Sequence, residues 1–293
     1  MFGGILIDEE GCPMYLNETQ PQIAHPWRPR LEGKWRLGYT LLPTPQAKAE
    51  RLAGCKPRFD RKTFFDRYRK EFISKRKLTQ SKVDGLQRLL DFLEEDRDVK
   101  DLRWIAYMLA TVKHECGDKW EPVYEDRTQQ SCMAKYDMTG NPQKAANLGN
   151  TQANDGWTFR GRGYVQLTGR KNYHAMTTVV GRDLELAPDL ALDASIAYKI
   201  MSSGMRNGTF TGVGLAKYIS GATCDYRNAR RIINGLDKWQ TIKRYAEAFE
   251  RILRASEAVI AKKQSQQKER HETFDKMMRG YEEPSRDPGA PVG

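Results

Sequence analysis

The sequence predicts a mainly helical α+β domain with a small β element lining a cleft, and three observations carry that expectation. Apolar residues recur at helical spacing in four separate stretches, a glycine-punctuated stretch near the middle breaks that rhythm with strand-forming residues, and a carboxylate closes the most apolar helix. The first stripe is Phe64, Phe65, Tyr68 and Phe72, whose basic neighbours fall on the opposite, solvated face. Val83, Leu86, Leu89, Leu90 and Leu93 form the second, with Thr79 or Ser81 placed to cap it. The third, Leu102, Ile105, Ala106, Leu109 and Val112, runs straight into Glu115. The fourth is Trp239, Ile242, Tyr245, Phe249, Ile252, Leu253 and Val259. Shorter helical patterns are expected near 193–205, 213–219 and 226–233, the last stopped by Asn234-Gly235 as a left-handed cap. Residues 126–157 show little periodicity and several turn signals, so they are expected to form a long loop walling the cleft.

Three regions follow from composition. Residues 1–57 are rich in proline and glycine with scattered tryptophan and read as an N-terminal extension, a possible wall-binding or anchoring module. Residues 58–262 hold the helical patterns, and 263–293 form a polar C-terminal tail. The chain has 293 residues, 39% of them hydrophobic, and a mean hydropathy of −0.74. No apolar run is long enough to span a bilayer, and the short patch from Phe2 to Ile7 lacks the basic start and long apolar core of a secretory signal. Five scattered cysteines without a Cys-x-x-Cys pair indicate neither a disulfide scaffold nor a zinc site, so no metal and no cofactor are expected. Cys116 reads as an ordinary buried cysteine rather than a nucleophile served by His114.

The net charge is +11, and residues 1–80 supply +7 of it. Basic residues interleaved with aromatics between Arg58 and Lys77 can bind nucleic acid. Here the aromatics keep helical spacing and are more simply a core face, so no nucleic acid partner is expected. Such a charge also suits a polyanionic cell-wall surface.

The chemistry concentrates at two places. Glu115, three residues past Val112, should sit beside the buried stripe, partly desolvated, and desolvation raises a carboxyl pKa toward what a general acid needs. Glu121 and Glu125 follow within ten residues. Two carboxyls whose surroundings push their pKa values apart is the arrangement that hydrolyses glycosidic bonds. Downstream, the stretch from Thr158 to Tyr173 reads as a strand between glycine bends, on which Tyr164, Gln166 and Thr168 share a face offering a phenol, an amide and a hydroxyl to a sugar. A dinucleotide loop is set aside because Gln166 stands where the third glycine belongs. A zinc-protease helix is set aside because Asp118 stands where the second histidine belongs.

Taken together, Ala110-Thr-Val-Lys-His-Glu115, Gly161-Arg-Gly-Tyr-Val-Gln-Leu-Thr-Gly-Arg-Lys-Asn-Tyr173 and Asp225-Tyr-Arg-Asn-Ala-Arg-Arg-Ile-Ile-Asn-Gly235 resemble the family-19 glycoside hydrolases, the chitinases and the related lysozyme-like endolysins of bacteriophages. The resemblance covers roughly residues 60–255. It implies a lysozyme-like helical fold and a glycosidase acting on bacterial peptidoglycan, with chitin hydrolysis or non-catalytic wall binding as the alternatives. It implies Glu115 as the acid beside His114, Gln166 on the sugar, and Thr168 holding the attacking water. Asn172, Tyr173, Asn234 and Gly235 fall on its substrate-contacting positions, and Glu125 is its base, with Glu121 and Asp137 as alternatives. Cys116-Gly117-Asp118 departs from the chitinase pattern. An endolysin of this kind waits in the host cytoplasm until lysis or travels on a virion.

Overall fold

The computed structural model describes residues 58–73 and 78–279, with two short strands nearer the N-terminus, β1 (Leu6–Ile7) and β2 (Pro13–Met14). The chain divides into two compact units, Met1–Lys56 and Pro57–Gly293. In the first, β1 and β2 pair antiparallel, Leu6 opposite Met14. The remainder of the expected N-terminal extension, and the tail beyond Arg279, lie outside the described residues.

The second unit is mainly helical. Helix α1 (Arg61–Phe72) begins at Asp60, whose carboxylate accepts the Thr63 N–H at 2.9 Å. Phe64 and Tyr68 are fully buried and Phe65 and Phe72 partly so, which makes the first aromatic stripe a core face. Helix α2 (Gln80–Glu95) starts after Thr79, which occupies the cap position but makes no cap bond. Helix α3 (Leu102–Glu115) is buried at every residue from Ile105 to Lys113. A helix apolar all round belongs at the centre of a domain. The last helix, α9 (Trp239–Arg279), packs along α3 and α1 through Ile242, Ala246, Phe249 and Leu253. Phe249 lies 6.1 Å from the ring of Tyr68, 5.0 Å from Phe72 and 5.9 Å from Trp120.

Four expectations are corrected. Residues 126–157 are not one long loop but carry three short helices, α4 (Gln129–Tyr136), α5 (Pro142–Leu148) and α6 (Asp155–Thr158). Each is too short to show a period; the signals were in the caps, Thr128 on the Ser131 N–H and Asn141 on the Lys144 N–H, with Pro142 in the first turn. Helix α7 (Arg170–Val180), bounded by Gly169 and Gly181, occupies part of what reads as strand and loop. Asn234-Gly235 is not a left-handed cap, since neither residue has a positive φ. Residues 263–279 of the polar tail continue α9, because no glycine or proline interrupts the chain from Trp239 to Arg279. Helix α8 (Ala194–Asn207) matches the pattern at 193–205, with Asp193 as its cap.

The feature that sets the site is the turn after Glu115. Gly117, Asp118 and Trp120 have φ of 57°, 67° and 61°. The left-handed region costs an ordinary residue roughly 1–2 kcal/mol, and two of these three carry side chains. Burial offsets the cost. The Trp120 indole is fully buried and donates to the Tyr68 hydroxyl at 3.1 Å. Gly85 of α2 leaves room for it, since a Cβ there would stand 2.6 Å from the Trp120 carbonyl oxygen. The Lys113 ammonium, 4.5 Å from the Phe72 ring centroid and 5.1 Å from that of Tyr245, holds the Asp118 carboxylate.

Phe249→Ala should therefore lower unfolding free energy by about 3–5 kcal/mol, the cost typical of deleting a buried aromatic ring. Urea denaturation measures it; a loss below about 1 kcal/mol would show that the ring cluster does not organise this core.

Candidate active site

Glu115 is the last residue of α3, with its side chain 18% exposed. Its surroundings are not the purely apolar ones the sequence suggests. Arg230, itself 3% exposed, donates from Nη1 to Glu115 Oε1 at 2.9 Å. The same guanidinium donates from Nε to the Asp237 carbonyl at 3.0 Å, and the Arg230 carbonyl accepts the Asn234 N–H at 3.1 Å. A 3-10 turn over Asn228–Ile232 buries Arg230 and leaves its neighbour Arg231 exposed. Arg230 lies inside the Asp225–Gly235 motif, and nothing in the spacing shows which of two adjacent arginines turns inward. His114 is half-buried, and burial pushes its imidazole below the usual range, against the opposing pull of Glu115.

Glu125 follows strand β3 (Val123–Tyr124), which pairs antiparallel with β4 (Arg162–Gly163), Val123 opposite Gly163. The Glu125 N–H donates to the Gly161 carbonyl at 2.8 Å. Its carboxylate accepts from the Tyr136 hydroxyl at 2.7 Å, from Arg127 Nε at 2.6 Å and from the Gly161 N–H at 3.3 Å, and Lys135 Nζ lies 3.5 Å away. Burial pushes this carboxyl up; the donors outweigh it and hold the group below the usual carboxylate range. A side chain at Gly161 would displace both Gln166 and Glu125. A Cβ there would stand 2.7 Å from Gln166 Oε1 and 3.3 Å from Glu125 Oε2.

The other two candidates for the base are placed differently. Glu121 is paired with Arg88 at 2.9 Å on a half-exposed surface. Asp137 is buried and accepts the Gly156 N–H at 3.3 Å, which ties α4 to α6.

The expected strand through Tyr164, Gln166 and Thr168 is a tight turn instead. Arg162 and Leu167 exchange N–H···O bonds of 3.2 and 2.8 Å, and between them Gly163 and Gln166 have φ of 86° and 57°. The period of two therefore fails. Tyr164 is fully buried with its hydroxyl unpartnered, and Tyr173 is fully buried with its hydroxyl donating to the Arg160 carbonyl at 2.9 Å and accepting from Arg162. Both leave the list of sugar-contacting groups. Gln166, Thr168 and Asn172 remain half-buried at the surface in one chain of bonds. The Gln166 amide donates to the Val123 carbonyl at 3.0 Å, Thr168 Oγ1 to the Gln166 carbonyl at 2.8 Å, and the Asn172 amide to the Thr168 carbonyl at 2.7 Å. Asn234 is exposed and accepts from the Gly235 N–H at 2.9 Å.

The residues fall into two bonded groups, Glu115 with Arg230 and, through the Arg230 carbonyl, Asn234, and Glu125 with Gly161, followed in sequence by the chain of Gln166, Thr168 and Asn172. Cys116 joins them, its sulfur 3.9 Å from the Gly163 carbonyl and 3.7 Å from that of Tyr164, so the end of α3 is pinned against the 162–167 turn. Burial pushes the Cys116 thiol up to about 12, which removes it as a thiolate nucleophile. Among the described residues, no three His, Cys, Asp or Glu side chains converge as metal ligands. The chemistry on offer is that of two carboxyls, one held on a single oxygen by an arginine and the other held ionised by three donors and a nearby ammonium.

Tyr136→Phe should raise the Glu125 pKa, read from its carboxyl carbon in an NMR titration. The folded carboxyl lies below its unfolded value of about 4.3, so the stability it contributes is present above that pH and lost as pH falls through the folded value. The variant's deficit against wild type should accordingly be larger at pH 7 than at pH 3. An unmoved Glu125 titration would show that Tyr136 does not hold it.

No family model matches the chain. Over 60 residues, 20% of its length, it is 43% identical to a glycosyl hydrolase family 19 domain-containing protein of Haemophilus influenzae, of which the match spans 30%. Among solved structures, chitinase C from Streptomyces griseus is 21% identical at a TM-score of 0.38, over 64% of this chain and 90% of the chitinase. A bacterial family 19 chitinase is 22% identical at a TM-score of 0.38, over 64% of this chain and 93% of its own. A 60-residue segment of the chain is thus similar in sequence to part of a glycosyl hydrolase family 19 domain-containing protein, of whose length the match spans 30%.

Proposed function

We propose that this protein is a glycoside hydrolase that cleaves the glycan strands of bacterial peptidoglycan with inversion, as a bacteriophage endolysin or a virion-carried lysozyme. The observation that carries the reading is the placing of Glu115 and Glu125 on two elements pinned together by Cys116, with Gln166, Thr168 and Asn172 half-buried beside the second. Arg230 occupies Glu115 Oε1, so Oε2 is the oxygen assigned to face the leaving group. Glu125, held as a carboxylate, takes the proton of the attacking water, and Thr168 steadies that water. Gln166 and Asn172 bind the sugar. The similarity to family 19 supports a glycosidase. Peptidoglycan is preferred over chitin because the net charge of +11 suits an acidic wall rather than a neutral polymer. The machinery lies within residues 58–262, and no cofactor enters it.

Purified peptidoglycan and chitin, incubated separately with the protein and assayed for new reducing ends, test this reading. Glu115→Gln should lose at least about 100-fold in rate, the scale of a missing general acid. Glu125→Gln should be similarly crippled, while Glu121→Gln should stay near wild type. Full activity in a folded Glu115→Gln variant would remove the acid, and a reversed ranking of the other two would move the base to Glu121.

A further inference from the structure

Beside Glu125, two cations lie over the ring of Tyr136 and a third pairs with Glu125 itself, the three coming from three elements. Arg127 comes from the loop after β3, Lys135 from α4 and Lys144 from α5. Lys135 Nζ lies 4.6 Å and Lys144 Nζ 5.2 Å from the ring centroid. Among the described residues, Glu125 is the one carboxylate paired with the trio, 2.6 Å from Arg127 and 3.5 Å from Lys135, and Lys144 has no carboxylate partner. Three positive charges therefore share one negative charge. Burial pushes the Lys144 ammonium below its usual range, and the nearby Lys135 charge pushes it the same way. Like charges held together in this manner are relieved by an incoming anion. Arg160, next to the Gly161 that bonds Glu125, lies 3.7 Å over the Trp157 ring and 4.7 Å over that of Tyr124, which directly precedes Glu125, and adds a further cation on this side.

We propose that Arg127, Lys135 and Lys144 form a subsite for a carboxylate carried by the substrate close to the scissile bond, so that the Glu125 side selects an acidic amino-sugar strand over an uncharged one. This inference rests on the glycosidase reading above for its substrate, and it adds the groups that would recognise that substrate's charge. Two carboxylates on peptidoglycan have the required chemistry: the lactyl acid on the sugar once the peptide is removed, and the free acids of the peptide stem while it is present. Lys144 is the cleanest probe, because Arg127 and Lys135 also hold Glu125.

The experiment measures binding by the full-length Glu115→Gln protein to soluble oligosaccharides of matched length: stem-bearing peptidoglycan strands, peptide-free strands, peptide-free strands with their carboxyls converted to amides, and chitin oligomers. The acidic strands should bind about tenfold more tightly than the amidated ones. Lys144→Gln should bring that ratio close to one, and Lys144→Arg should keep most of it, with thermal unfolding confirming that both variants fold. Tighter binding of stem-bearing strands assigns the subsite to the peptide carboxylates; tighter binding of peptide-free strands assigns it to the lactyl acid. If acidic and amidated strands bind equally, or if Lys144→Gln leaves the preference intact, the subsite is wrong. Should the preference and its dependence on Lys144 hold while wild-type protein releases no reducing ends from any strand, the subsite stands and the hydrolase reading falls.

Discussion

The left-handed turn at 117–120 is the constraint on which the site depends. It reverses the chain between α3, which ends on Glu115, and β3, which leads into Glu125, and it does so in a conformation that side chains resist. What holds it there is the core rather than the turn itself. Trp120 is driven into the ring cluster of Tyr68, Phe72 and Phe249, and Lys113 reaches from the buried end of α3 to Asp118. Moving Trp120 would cost several kcal/mol of aromatic burial. The strain of the turn is smaller than that, so the packing wins and the two carboxylates are fixed relative to one backbone path.

The two carboxylates stand in different settings. Arg230 is almost wholly removed from water, and a buried charge with one missing partner costs about 3–5 kcal/mol; it is bound to Glu115 and to the Asp237 carbonyl. Glu125 has three donors and the Lys135 ammonium around a partly buried carboxylate. One group has a single oxygen engaged, while the other is crowded by donors. A pair of carboxyls in unlike settings is what division of labour between proton donor and proton acceptor requires.

How much of this was legible in the sequence follows from where the information is stored. The long helices were readable because apolar burial imposes a period, and the stripes at Phe64 to Phe72, Leu86 to Leu93 and Ile105 to Val112 all proved to be core. Glu115 at the end of α3 followed from the same period. The stretch from Arg162 to Leu167 was misread because two residues at positive φ break an alternation that six residues are too few to establish. That misreading put Tyr164 on a sugar face when it lies in the core. Arg230 was invisible for a different reason: its role comes from a contact 115 residues away in the chain, which no local pattern encodes. The cap residues Thr128 and Asn141 were present to be read, and reading them would have replaced a long loop with short helices.

If Glu115 and Glu125 act on opposite faces of a sugar with water between them, as proposed, hydrolysis inverts the anomeric centre. The measurement that bears on it most directly is proton NMR of a soluble peptidoglycan oligomer during the first minutes of hydrolysis. The account predicts that β-linked strands release the α anomer first, with the β anomer appearing later by mutarotation. Initial release of the β anomer would contradict it, because retention requires a covalent or substrate-assisted intermediate in place of the water that Glu125 activates.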